Sequence, residues 1–167
     1  CRSVDIITVE MNSNFNVRTP SNLGDINSFC KLMKETELAR PGKCIILCCG
    51  QSTGSICVSV LLAGAYLILC KNASSTEVID MFDCISHRVC DFEDGSEQFT
   101  VGDCWEALFI ARNNGWLDLV SESPDYDKCI DLEEYSHDDN PANGRLHVVI
   151  PSELIVFPCP QDLPVDE

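Results

Sequence analysis

The sequence predicts an α/β fold, a central mostly parallel sheet flanked by helices, from three adjacent features. Residues 43–49 (Lys-Cys-Ile-Ile-Leu-Cys-Cys) are a nearly continuous apolar run of strand length. A run of that kind is expected of a strand covered on both faces. Residues 56–70 are apolar throughout and continue long enough for a core helix. Between them, residues 50–55 (Gly-Gln-Ser-Thr-Gly-Ser) supply the small side chains of a sharp strand-to-helix turn.

Taken in chain order, residues 4–9 alternate enough to be a strand. Thr19, Pro20, Ser21 and Asn22 form a turn that can start a helix, and Leu23, Ile26, Cys30 and Met33 recur at helical spacing up to about Glu37. Arg40-Pro41-Gly42 breaks that helix and feeds the apolar strand. The apolar helix falls short of the ~20 residues needed to cross a bilayer, so it is expected in a core. Ser74 and Glu77 form a capping box that opens a helix to about Ile85. Thr100 and Asp103 form a second, opening a helix with Trp105, Leu108, Phe109 and Arg112, and Gly115 stands where a terminating glycine belongs. Trp105, Phe109 and Trp116 are expected in the core. Residues 145–150 and 153–157 are short strand candidates around Pro151. Residues 1–157 then make one domain, and the proline-containing tail 158–167 reads as a linker toward a further domain. No internal repeat is present.

At 167 residues with 45% hydrophobic content, the chain can bury roughly two-thirds of its unfolded surface. A net charge of -16 speaks against nucleic acid or an anionic membrane as partners and favours basic ones. Nine acids and one base, Lys128, fall within residues 118–139, a local charge of -8. The 12 cysteines include no C-x-x-C pair and are accompanied by three histidines, so no structural zinc is expected. Cys44, Cys48, Cys57 and Cys70 lie in apolar runs, where a thiol packs as a small hydrophobe. This usage reads as a reducing, intracellular compartment, the alternative being a secreted, disulfide-bonded domain. No secretory signal opens the chain, and a start at Cys1 without Met reads as a fragment.

A strand, a glycine-rich loop and a helix N-terminus form a natural anion cradle, because unpaired N–H groups and the helix dipole converge there. Phosphate-ester chemistry by cysteine further needs a thiolate and a bidentate guanidinium in the order Cys-x5-Arg. Here Gly54 stands six positions after Cys48, and Ser55 six after Cys49. Neither can grip a phosphoryl group. Cys48, Cys49, Gly50, Gln51, Ser52, Thr53, Gly54 and Ser55 therefore read as a degenerate phosphate loop in a cysteine-phosphatase-like domain, with both cysteines as packing residues and no catalytic residue. Two competitors use the same loop. Residues 50–54 match the G-x-S-x-G nucleophile elbow, with Asp125 and His137 or His147 following in order, which would make Ser52 a hydrolase nucleophile. Only 49 residues precede Gly50, too few for the strands that such a fold places first. A nucleotide P-loop fails because no Lys-Ser or Lys-Thr closes the turn.

Three stretches carry a family resemblance. They are Leu62-Ala-Gly-Ala-Tyr-Leu-Ile-Leu69; residues 100–118, with Thr100-Val-Gly-Asp-Cys-Trp105; and Ile130-Asp-Leu-Glu-Glu-Tyr-Ser-His137, followed by Asn143-Gly144, Val148-Val-Ile-Pro151 and Leu154-Ile-Val-Phe-Pro-Cys-Pro160. In order and spacing they resemble the N-terminal domain of the Cdc-fourteen family of cell-division-cycle dual-specificity phosphatases, over about residues 22–160. The resemblance implies two phosphatase-fold domains in tandem, with the catalytic cysteine loop in the C-terminal one. It implies a non-catalytic scaffold here, contributing an acidic groove for proline-directed phosphoserine or phosphotyrosine substrates with a following basic residue. Asp131, Glu133, Glu134, Asp138 and Asp139 fall on the matching segment, while Ser136 replaces an acid usual in the family. The implied partners are the catalytic domain of the same polypeptide and basic phosphopeptides. No cofactor or metal is implied, and the location is cytoplasmic or nuclear, by family analogy at microtubule-organising structures. The alternative is a stand-alone pseudophosphatase that binds or scaffolds.

Overall fold

The computed structural model describes residues 6–10, 22–90, 99–121, 125 and 129–158. The turn at residues 19–21, the first two residues of the 4–9 strand, Glu122, Asp127, Lys128 and nearly all of the 158–167 tail lie outside the described residues. Strand β1 (Ile6–Glu10) pairs in parallel with β2 (Cys44–Cys48), Ile6 opposite Cys44 and Glu10 opposite Cys48. Parallel neighbours need a crossover, and helix α1 (Leu23–Ala39) lies within it. The Asn22 side chain caps α1 by accepting the Asp25 N–H at 2.9 Å. The helix stops at Arg40, before Pro41 and before Gly42 at φ +76°, a conformation glycine adopts without steric cost.

The expectation that β2 is buried on both faces does not hold. Cys44, Ile46 and Cys48 are exposed, and only Ile45 and Leu47 are half-buried against the core. The reason is one-sided cover: α1 and α2 (Thr53–Lys71) pack on each other and on the Ile45/Leu47 face. The packing role expected of Cys44, Cys48 and Cys49 fails with it, since all three are exposed, whereas Cys57 and Cys70 are half-buried.

Helix α2 runs past the expected 56–70 at both ends. Its 19 residues, with mean hydropathy 2.0, have the length and apolarity of a membrane span, yet 56% of that window is buried inside the fold. Its cover comes from α1, from α3 (Ser75–Met81) and above all from α5 (Val101–Asn113). The helix predicted to continue to Ile85 breaks at Phe82, whose ring sits 5.7 Å from the Trp105 ring, and restarts as α4 (Asp83–Ser86). Both capping boxes form as expected, Ser74 with Glu77 and Thr100 with Asp103. Gly115, at φ +75°, ends α5 in a Schellman turn: its N–H bonds the Arg112 carbonyl and that of Trp116 bonds Ala111.

The remaining strands pair locally. β3 (Val89–Cys90) lies antiparallel to β4 (Phe99–Thr100). Helix α6 (Leu132–Asp138) and a 3-10 turn (Pro141–Asn143) then lead to β5 (His147–Ile150) and β6 (Leu154–Val156), an antiparallel hairpin. Among the described residues the strands thus form three two-stranded sheets, one parallel and two antiparallel. The chain is an α/β domain, and among the described residues these three pairs do not join into a central sheet.

The core is mainly helical. Phe29 and Cys30 of α1, Leu62, Ile68 and Leu69 of α2, Val78 of α3, and Val101 and Trp105 of α5 are all buried. Trp105 is fully buried, and its indole N–H donates to the Leu61 carbonyl at 3.0 Å. The ring lies flat enough on α2 that a Cβ at Gly64 would stand 2.3 Å from it. Arg112, one helical stretch later, donates to the Ile68 carbonyl at 2.5 Å and the Ala73 carbonyl at 3.2 Å, clamping α5 to the end of α2. A guanidinium reaching two carbonyls also satisfies acceptors that a helix C-terminus otherwise leaves open.

Gly64→Ala is therefore expected to destabilise the domain by at least about 2–3 kcal/mol, because overpacking outweighs the ~1 kcal/mol of helix propensity gained. Denaturant unfolding followed by circular dichroism checks this, and a stabilised variant would refute the close approach. A second expectation concerns pH. Backbone hydrogen bonds from Thr100 and Ser74, and then their hydroxyls, hold the Asp103 and Glu77 carboxyls below their usual values of 3.8 and 4.5. A carboxyl depressed on folding stabilises fully above its unfolded pKa and loses that contribution as pH falls through the folded one. Asp103→Asn should flatten the acid limb of the stability curve and leave the neutral region nearly flat.

Candidate functional site

Strand β2 ends at Cys48 and α2 begins at Thr53, so the predicted loop is a strand-to-helix turn of four residues. Ser52 is the N-cap: its Oγ accepts the Ser55 N–H at 3.1 Å and shares a 2.7 Å hydrogen bond with the Ser55 hydroxyl. Ser59 continues the chain by donating to the Ser55 carbonyl at 2.8 Å. Ser55 is buried, whereas Gln51, Ser52, Thr53 and Gly54 are exposed. The two positions where a phosphatase arginine would stand are thus Gly54, where an added Cβ would meet open space, and Ser55, committed to the cap. Among the described residues no basic side chain bonds Cys48, Cys49, Gln51, Ser52, Thr53 or Ser55. The turn from β2 into α2 is thus closed by its own serine hydroxyls, with no cationic side chain bonded to these six residues among the described residues.

The hydrolase constellation is not brought together. Ser52 spends its hydroxyl on the cap. His137 bonds Asp138 at 2.8 Å and faces Asn143, and His147 stands 3.4 Å from Asp139 with its ring 5.2 Å from that of Tyr135.

Of the five predicted groove acids, three have structural partners among the described residues. Asp131 caps α6, accepting the N–H groups of Glu133 and Glu134 at 2.9 and 3.2 Å. Asp138 takes His137. Asp139 bridges two elements, accepting from Asn22 at the start of α1 at 3.0 Å and facing His147 on β5. Glu133 and Glu134 remain exposed in the first turn of α6, where negative charge is favoured by the helix dipole. Asp131 and Glu133 line a hollow of about 180 Å³ together with Asp118, Lys31 and Lys34, so its field is mixed rather than purely acidic. Hydrogen bonds from the Ser121 hydroxyl and backbone hold the Asp118 carboxyl below its ordinary value. Burial, and then Asp118, Asp125 and Asp131, push the Cys129 thiol up, which makes it a poor nucleophile.

A family model described as the dual specificity protein phosphatase, N-terminal half, matches residues 10–111. The chain belongs to this family. No curated protein matches it. Within this dual specificity phosphatase N-terminal half, the matched span runs from the end of β1 to near the end of α5. It includes the whole loop at residues 48–55 and the Gly64–Trp105 contact, and it stops before α6 and its acids. The anchors that hold α6 in place were not singled out from sequence: Asn22, His147, and Tyr135, whose hydroxyl is pushed up by burial and then by Asp139. Asn22 alone had a local signal, as the last residue of a turn ahead of a helix. Tyr135 meets His147 across twelve residues and His147 meets Asp139 across eight, pairings that spacing does not reveal.

Asp131→Ala should cost about 1 kcal/mol through loss of the α6 cap, whereas Asp131→Asn, which can still accept both N–H groups, should be near neutral. Equal losses in chemical denaturation would mean that charge, not capping, is its contribution.

Proposed function

We propose that this chain is the non-catalytic N-terminal domain of a Cdc-fourteen-type, proline-directed dual-specificity phosphatase. It serves as scaffold for a catalytic domain in the same polypeptide and lends acidity to that domain's substrate groove. The observation that carries the reading is the loop at residues 48–55: a strand, turn and helix start in which the Ser52 and Ser55 hydroxyls cap α2, with Gly54 and Ser55 at the positions of the phosphatase arginine. The end of the described chain supports the scaffold role. Val149, Leu154, Ile155, Val156 and Phe157 are all exposed, an apolar hairpin in need of cover just before Pro158. The parallel β1–β2 pair is read as the seed of a larger, mostly parallel sheet. On the acidic side, Glu133 and Glu134 are the two predicted groove carboxylates without a side-chain partner among the described residues, and they suit the steering of basic phosphopeptides. Nucleic acid and membrane are not among the expected partners, and the setting is intracellular, cytoplasmic or nuclear.

The isolated chain should not turn over p-nitrophenyl phosphate, and Ser52→Ala should leave any ester hydrolysis at background. Joined to its catalytic domain, Glu133→Lys with Glu134→Lys should lower kcat/KM for a phosphoserine–proline peptide bearing a lysine by about tenfold at low salt. The effect should shrink as salt rises, and turnover of p-nitrophenyl phosphate should stay unchanged. Dephosphorylation by the chain alone, or peptide kinetics indifferent to the two charges, would overturn the reading.

A further inference from the structure

On the helix-covered face of β2, at the end away from the loop at residues 48–55, α1, β2 and α2 line an open cavity of about 750 Å³. That is the size of small-molecule sites. Its wall is apolar, with Met33 of α1, Ile45 and Leu47 of β2, and Ala63 and Leu67 of α2. Its polar groups are Lys34, Arg40, Lys43 and Lys71 with one carboxylate, Glu37. Four of the chain's 11 basic residues therefore meet here, giving a local charge of +3 in a protein of net charge -16. Concentrated positive charge beside an apolar wall runs against the composition of the rest of the molecule.

The second observation is Tyr66. It lines this cavity with 5% of its surface exposed, and its hydroxyl is buried without a hydrogen-bond partner. Glu37 and Lys71 are within reach of the phenol, but neither joins it in a hydrogen bond of good geometry, and they bond each other at 2.5 Å. A buried hydroxyl left unpaired is costly, and an acceptor brought by a ligand would remove that cost. Burial, then Glu37, push the Tyr66 pKa up to about 12, so at neutral pH it holds its proton and can donate. Lys34 is engaged with the Leu119 carbonyl, while the Arg40 guanidinium has no side-chain partner among the described residues.

The geometry points to a binding site for a small amphipathic anion, its apolar body against Ile45, Leu47 and Leu67 and its carboxylate or phosphate head between Arg40 and the Tyr66 hydroxyl. The site is independent of the phosphatase assignment, since it shares no residue with the loop at 48–55.

Isothermal titration of the whole chain with dodecanoate, dodecyl phosphate and dodecanol, each below its micellar concentration, tests the proposal. Both anions should bind at least about tenfold tighter than the alcohol, with affinity falling as salt rises. The two anions separate a carboxylate-selective from a phosphate-selective head site. Arg40→Ala should weaken anion binding about tenfold and Tyr66→Phe several-fold, each with an unchanged circular dichroism spectrum. Glu37→Gln, which frees Lys71 and removes the one competing carboxylate, should tighten it. Absence of binding, alcohol binding equal to the anions, or affinity indifferent to all three substitutions would overturn the assignment.

Discussion

The contact between Trp105 and the bare backbone at Gly64 sets the distance between α2 and α5. With no side chain at Gly64, α5 can press its indole onto α2 and still reach the Leu61 carbonyl. That close approach places Arg112 within reach of Ile68 and Ala73, so the far end of α2 is clamped as well. Helix α2, held along its length in this way, offers its first turn as a rigid end to the loop from β2. The shape of the loop at residues 48–55 thus rests on a contact nine residues beyond its last position.

The turn that α2 receives from β2 carries its own hydrogen-bond closure. A turn that binds an anion leaves its N–H groups open and relies on the ligand to occupy them. Here Ser52 and Ser55 close part of that opening from within. Similar self-sufficiency marks α6, where Asp131 caps the helix and Asp139 ties it to α1 and β5. Acids that look like a groove in one dimension are in part fasteners in three.

Local rules read well in this chain. The capping boxes at Ser74 and Thr100, the terminating Gly115, the breaker at Pro41-Gly42 and the strand–turn–helix around Gly50 all depend on residues within a few positions of one another, and all form. Features set by distant partners did not read. The apolar run at residues 43–49 looked two-sided because composition cannot say how many helices cover which face, and α1 and α2 both chose the Ile45/Leu47 side. Phe82 interrupted a helix that propensity would have continued, since its ring packs near Trp105. The cationic cavity draws Lys34, Arg40, Lys43 and Lys71 from separate elements, and no window of sequence brings them together.

The seclusion of Trp105 has a practical corollary. The chain has two tryptophans, and only this one is wholly shielded from water, Trp116 being half-buried at the end of its helix. An indole in a dry, tightly packed niche emits at shorter wavelength than one in solvent, so intrinsic fluorescence gives this domain a built-in optical reporter. Its red shift marks the moment α5 lifts from α2, whatever the state of the acidic face or the basic cavity.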